Sequence, residues 1–132
     1  MEFQDWDIDN RSDDGSLTEA HNYRQWTKGL IKALVDINRD PCPGPKLRGY
    51  AEKAGFVNVQ ERVFKIPLGP WAKDPHMKDI GMMNLVQALD GIEAFSLKVF
   101  EMLGYSREET EVLLANVRRE LKTRAFHCYA LL

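Results

Sequence analysis

Only three segments of this chain have the residue pattern of β-strands, and long helical segments separate them. The first is Glu2–Ile8, where polar and apolar side chains alternate. The second is Phe56–Leu68, rich in aromatic and β-branched residues, with a bulge expected near Glu61–Arg62 where the alternation slips. The third is Ala125–Leu132. A right-handed crossover is expected to make the first two a parallel pair. Three strands leave both sheet edges unpaired, which predicts part of a larger α/β domain.

Helical periodicity accounts for most of the remaining chain. It predicts a helix from Thr18, as N-cap, to Asn38, and a shorter helix over Pro45–Ala54. A long helical segment follows from the Asp74 N-cap to Gly104, with a kink or break expected at Gly91. Ser106 and Glu109 form a capping-box pattern that opens the last helix.

Composition and charge exclude several classes of protein. Hydrophobic residues make up 44% and charged residues 29% of the 132 residues, a balance typical of globular domains. The net charge of -2 argues against direct nucleic-acid binding. Two cysteines are too few for a disulfide framework, and neither a bilayer-spanning apolar run nor a signal peptide is evident. We therefore expect no membrane association and an intracellular location, cytoplasmic or nuclear.

Four pieces of the chain resemble, in their order, one known family. They are Glu2–Asp5 with Arg11–Leu17; Ala54–Glu61; Lys65–Trp71 with Lys73–Pro75; and Leu113–Leu121 followed by His127 and Tyr129. Together they resemble the fungal class I methyltransferases of the LaeA type, a family that regulates or serves secondary metabolism. The resemblance implies a Rossmann-like α/β fold, S-adenosylmethionine as cofactor, and strands that correspond to the fifth, sixth and seventh of the family.

The glycine pattern is where this chain departs from that family. Class I folds hold their cofactor on a glycine-rich turn, but no two of the nine glycines lie two residues apart. We therefore expect a C-terminal portion of one methyltransferase domain, left by a truncated gene model or by trimming, without the first four strands and without cofactor-binding residues. Its expected parts are 1–70 (strand-helix-helix-strand), 71–124 (a helical cap) and 125–132 (the last strand).

The carboxyl end of the first predicted strand holds the best site candidates, because ligands of open α/β sheets bind there. Asp5, Trp6 and Asp7 occupy this position. Trp6 would line the substrate or methylsulfonium pocket, and either aspartate would orient a nucleophile or take its proton. The alternative is a core Trp6 with two loop-capping acids. Trp71, in the loop after the second strand, is a further substrate-side candidate by resemblance.

No metal site is predicted. Asp5, Asp7 and Asp9 match the first half of a calcium loop, but Asn10 and Ser16 stand where the glycine and the bidentate glutamate belong. The three histidines lack metal-ligand spacing, and a structural or surface role is expected for each.

The sequence is compatible with two functions. The first is the substrate-side half of a methyltransferase with an unknown acceptor, either a small metabolite or a protein. The second is a non-catalytic interaction module, in which the amphipathic segment Met77–Leu103 docks a protein partner. The chain alone is expected to be inactive and poorly stable, because each exposed core-type side chain forfeits about 1.5–3 kcal/mol. The side chains concerned are Phe56, Val59, Phe64 and Ile66.

Overall fold

A three-stranded antiparallel sheet and four helices make up the regular structure in the computed structural model, which describes residues 1–132. In chain order they are β1 (Asp7–Arg11), α1 (Asn22–Asp36), α2 (Gly44–Lys53), β2 (Lys65–Leu68), α3 (Pro75–Met102), α4 (Arg107–Thr123) and β3 (Cys128–Leu131). The protein is thus a small α/β chain.

The last strand lies in the middle of the sheet. Its order is β1-β3-β2, and β3 pairs antiparallel with both neighbours: Leu131 lies opposite Asp7 on one side and Lys65 on the other. Strands β1 and β2 therefore run in the same direction but do not touch. The predicted parallel pair is wrong as a pairing, because β3 supplies the backbone groups that both strands bond to.

Strand bounds follow the pairing rather than the local residue preference. Of the predicted strand over 56–68, only Lys65–Leu68 forms β2, and the preceding residue Phe64 exchanges two backbone hydrogen bonds with Leu132 (2.9 and 3.0 Å). The segment with the expected bulge is not a strand at all. Likewise β1 begins at Asp7, later than predicted. High β-propensity stabilises a strand only where a partner is present, and β3 is four residues long.

Local capping signals place the later helices as predicted. The Asp74 carboxylate accepts the Met77 N–H at 2.9 Å, and the capping box of Ser106 and Glu109 is present. Helix α3 continues through Gly91 without the expected break. A single glycine does not break the helix, because it lowers helix stability by only about 1 kcal/mol relative to alanine.

Helix α1 begins four residues after the predicted cap, because its cap comes from another helix. Thr18 lies outside α1, and no local side chain caps the helix. Instead the Glu120 carboxylate of α4 accepts the backbone N–H groups of Asn22 (2.9 Å) and Tyr23 (2.8 Å) and the side-chain amide of Asn22 (2.7 Å). A carboxylate at this position also interacts favourably with the helix dipole.

The core lies where α1, α3 and α4 pack together against the sheet. Its buried members are Tyr23, Trp26, Leu68, Leu85, Ile92, Phe100, Leu114, Val117, Leu121, Phe126 and Cys128. The Trp26 indole N–H donates to the Ser96 hydroxyl at 2.8 Å, which satisfies both polar groups inside it. Of the four strand-region side chains expected to lack cover, Phe56 and Phe64 are exposed, whereas Val59 and Ile66 are partly buried. None of the four helices has the length and apolar character needed to cross a bilayer.

Two glycines bring the loop after β2 against α3. The Gly69 N–H donates to the Gly81 carbonyl at 2.9 Å, and a Cβ on Gly81 would overlap with the Gly69 carbonyl oxygen. Gly69 has a φ of 96°, a left-handed conformation that favours glycine. This close approach determines where the loop that carries Trp71 leaves the sheet.

The tertiary cap predicts a specific effect of Glu120→Gln on stability. The substitution removes the negative charge and sets an amide NH2 against a backbone donor, so we expect a loss of about 1–2 kcal/mol in the free energy of unfolding, measured by urea denaturation at neutral pH. The matched control is Glu111→Gln, on the exposed side of the same helix beside Arg107, where a loss below about 0.5 kcal/mol is expected. Equal losses in both variants would contradict a capping role.

The same contact predicts a pH dependence. Burial raises the pKa of Glu120, but the hydrogen bonds from Asn22 and from the Tyr23 and Asn22 N–H groups outweigh it and hold the pKa below the usual 4.5. A depressed pKa in the folded state means that the stabilisation is complete above 4.5 and is lost as the pH falls below it. Over that acidic range the wild type should lose more stability than Glu120→Gln, which has no proton to take up there. Parallel declines in the two would overturn this assignment.

Gly81→Ala tests the close approach of α3 and the β2 loop. The added methyl group must displace the Gly69 backbone, so we expect a loss of about 1–3 kcal/mol in stability and a shift in the fluorescence of the Trp71 region. Gly49→Ala is the control, since Gly49 lies within α2 with no atom within 4 Å of an added Cβ. That change should be neutral or stabilise by about 0.5–1 kcal/mol. If the Gly81→Ala protein were as stable as the Gly49→Ala protein, the close contact between Gly81 and the Gly69 backbone would be refuted.

Candidate functional site

The carboxyl ends of β1 and β2 meet at one edge of the sheet. Arg11 lies opposite Tyr129 and Leu68 opposite Cys128, so both strands end beside the start of β3. We use the name carboxyl edge for three parts: the loop 12–17 after β1, the loop 69–74 after β2, and His127 before β3. Open, mostly parallel α/β sheets bind ligands at the carboxyl ends of their strands; here β1 and β2 share a direction, although both pair antiparallel with β3.

Asp14 is the centre of the hydrogen bonds in the first loop. Its Oδ1 accepts the Ser12 hydroxyl (2.8 Å) and the Ser16 N–H (3.0 Å), and its Oδ2 lies 2.7 Å from Nδ1 of His127. Hydrogen bonds from Ser16, Ser12 and His127 hold the pKa of this carboxyl far below its usual value. Asp14 is therefore ionised at neutral pH. Gly15, with a φ of 71°, makes a tight turn at this point in a left-handed conformation that favours glycine.

The neighbouring Asp13 binds Tyr129, which lies two residues after His127. Its Oδ1 accepts the Tyr129 hydroxyl at 2.7 Å, and its Oδ2 pairs with Lys65 Nζ at 2.6 Å. The Lys65 ammonium also lies 4.6 Å from the centre of the Tyr129 ring, within cation–π range. Hydrogen bonds from Lys65 and Tyr129 lower the pKa of Asp13. The two adjacent aspartates thus attach the loop to His127 and Tyr129, at the start of β3.

Trp71 completes the carboxyl edge from the β2 side. Its ring stacks on the His127 imidazole, with centroids 5.4 Å apart and planes 28° from parallel. Its indole N–H donates to the Cys128 carbonyl at 3.0 Å. The half-buried indole therefore supports the imidazole on one face and is itself held by the central strand.

The other three candidates lie at the opposite end of β1. Asp5 and Trp6 are exposed and precede the strand, while Asp7 is its first residue and is 2% exposed. The Asp7 carboxylate accepts the Gly44 N–H at 3.2 Å, at the start of α2. Their predicted position at the carboxyl end of the strand is wrong, because β1 starts where the predicted strand nearly ends. Of the four candidates, only Trp71 lies at the carboxyl edge.

Sequence reasoning missed His127 and Asp14 as a pair. His127 was expected to have a structural or surface role, and Asp13 and Asp14 were covered only as part of the segment Arg11–Leu17 that resembles the family. A usable signal was present in the pattern: two adjacent acids lie in the loop after one predicted strand, and a histidine and a tyrosine two residues apart lie within another. Side chains two apart on a strand share a face, so both can reach one loop.

The hollow at the carboxyl edge is too small for S-adenosylmethionine. The hollow beneath Trp71, bordered by Leu68, Leu121 and Arg124, has a volume of about 10 Å³, room for one water. A groove of about 340 Å³ between α3 and α4 shares no residue with the carboxyl edge. No group of three or more histidine, cysteine, aspartate or glutamate side chains is arranged to hold a metal ion.

Comparison with known proteins identifies relatives along most of the chain. Methyltransferase pytC of Aspergillus terreus is 37% identical over 117 residues, which are 88% of this chain and 36% of that protein. The probable methyltransferase tdiE of Emericella nidulans is 32% identical over 130 residues, 98% of this chain and 41% of that protein. The secondary metabolism regulator laeA of Monascus pilosus is 30% identical over 129 residues, 96% of this chain and 35% of that protein.

The match has clear bounds. No protein-family profile matches the chain, and no solved structure matches it. The chain spans about two fifths of the length of the curated relatives it matches. Within those bounds the predicted resemblance is confirmed: the chain is a homologue of fungal methyltransferases and of LaeA-type regulators of secondary metabolism.

Proposed function

We propose that this chain forms the acceptor-side part of an S-adenosylmethionine-dependent methyltransferase of fungal secondary metabolism. In this proposal residues 1–132 are the C-terminal portion of one Rossmann-like domain, and β1, β2 and β3 are its fifth, sixth and seventh strands. The observation that carries it is the 37% identity, over 88% of this chain, to a protein named as a methyltransferase.

The free edge of β1 supports the proposed place in a larger sheet. Strand β1 pairs with β3 alone, so its outer N–H and C=O groups have no strand partner. Unpaired edges of this kind are normally covered in folded proteins. A further strand added there would run alongside β1 and would extend the row of carboxyl ends at which ligands bind.

In this proposal, cofactor binding and acceptor binding belong to different parts of the domain. The remaining part binds S-adenosylmethionine, which supplies the methyl group, since the hollow at the carboxyl edge of this chain is far too small for it. The carboxyl edge then receives the acceptor, either a small metabolite or a protein, beside Trp71 and His127. Correct placement of acceptor and methyl donor supplies a large share of the rate in such reactions. An intracellular location, cytoplasmic or nuclear, fits the two free cysteines.

A second candidate function is a non-catalytic interaction module. Met82, Met83 and Val86 form an exposed apolar stripe along α3, and Met83 is 71% exposed. Flexible methionine side chains are common on surfaces that accept partner helices. This function needs no cofactor, so cofactor binding separates the two candidates.

Calorimetric titration with S-adenosylmethionine tests the enzyme proposal. It is carried out on the 132-residue chain and on the same chain joined to the part of pytC that it does not match, with intact pytC as the control for the titration. We expect no heat from the chain alone and micromolar binding by the joined polypeptide. A joined polypeptide that folds, with a cooperative melting transition, but does not bind would overturn the proposal. A specific protein partner of the monomeric chain, lost in Met83→Asp, would then favour the interaction module.

A further inference from the structure

The imidazole of His127 is held from three directions. Its Nδ1 lies 2.7 Å from the Asp14 carboxylate, its ring stacks on Trp71, and its backbone N–H donates to the Ser16 hydroxyl at 2.7 Å. Asp14 is in turn bonded by Ser12 and by the Ser16 N–H. Each member of this set is positioned by another, so the ring cannot turn without breaking several contacts.

The charge of Asp14 decides which ring nitrogen carries the proton. An ionised carboxylate can only accept hydrogen bonds, so Nδ1 of His127 must be the donor. In the neutral ring the other nitrogen, Nε2, then has a free electron pair. Nε2 makes no hydrogen bond within the chain, and 46% of the side chain is exposed. The basic nitrogen is therefore accessible at the carboxyl edge, next to Trp71.

A role in anchoring the loop does not by itself explain the arrangement around His127. The bond between Asp13 and Tyr129 already fastens the same loop to the same strand. A second contact between loop and strand at His127 would not need an imidazole that stacks on Trp71, is oriented by Asp14 and has an unbonded Nε2. An imidazole with one nitrogen on a carboxylate and the other free is the arrangement that proton-transfer catalysts use.

We propose that His127 is the general base for the acceptor and that Asp14 is its positioning residue; this inference rests on the proposed function. Nε2 takes the proton of an acceptor hydroxyl, and the electron pair of the broken O–H bond stays on the oxygen, which becomes the nucleophile. The positive charge gained by the ring is stabilised by Asp14, and the proton later passes to water.

The strength of this base selects the class of acceptor. A neutral imidazole is a base of moderate strength, so it removes protons efficiently only from groups of moderate acidity. Phenolic and enolic hydroxyls meet that requirement, whereas aliphatic alcohols are far less acidic. The inferred acceptor is a small molecule with a phenolic or enolic hydroxyl.

Nitrogen-15 NMR of the histidine rings tests the proton position. In mildly alkaline buffer we expect the Nδ1–H tautomer at His127 and the Nε2–H tautomer, which free imidazole favours, at the exposed His76. Asp14→Ala should return His127 to the Nε2–H form. The joined polypeptide is measured in the same way. An Nε2–H tautomer at His127 in the wild type would overturn the inference, whatever the cofactor titration shows.

Turnover of the joined polypeptide tests the base itself. With labelled S-adenosylmethionine and a panel of simple phenols, His127→Gln should lower the rate about 10²–10⁴-fold without changing the cofactor titration. His76→Gln, outside the site, should keep the wild-type rate. Added imidazole should restore part of the activity of His127→Ala, which a loss of loop fastening alone would not allow.

The outcomes separate the inference from the proposed function. Absence of cofactor binding in the folded parent overturns the proposed function and, with it, this role of His127. Cofactor binding without turnover of any phenol overturns the acceptor class. Cofactor binding with full turnover by His127→Gln overturns the general base alone.

Discussion

The pairing of β3 with both other strands is the contact on which the rest of the structure depends. It makes β1 and β2 run in the same direction, and it limits how many residues of each belong to the sheet. It also brings the ends of both strands to one edge, beside His127. Partners in this sheet are separated by much of the chain, so the entropy of closing long loops must be overcome before the contacts form. The helical core of α1, α3 and α4 contributes the burial that offsets this cost.

The sequence predicts local features well and long-range ones poorly, and the helix ends show why. Asp74 and Ser106 cap helices with bonds that span three residues, so their patterns are legible in a short window. The cap of α1 comes from Glu120, 98 positions later, and no window contains both partners. The predicted strand bounds are wrong for the same reason, because the segment Phe56–Val63 has a strand composition but no strand partner.

The candidate site follows the same division. Trp71 was indicated by the resemblance of its loop to a known family, and the structure places it at the carboxyl edge. The pair of His127 and Asp14 spans 113 positions and has no local pattern of its own. Asp5, Trp6 and Asp7 were misplaced because the position of a strand end depends on register. Homology to both named methyltransferases and named regulators then indicates which chemistry the edge should be tested for.

The fastening of the first loop by two adjacent aspartates has a consequence for how such chains can diverge. Asp13 and Asp14 are adjacent, whereas their partners lie two residues apart, with Tyr129 in β3 and His127 immediately before it. Inserting or deleting a single residue in the loop would move both carboxylates out of reach at once. We therefore expect relatives to keep the length of this loop constant, and to accept insertions in the exposed segment between α2 and β2, where no strand partner sets the register.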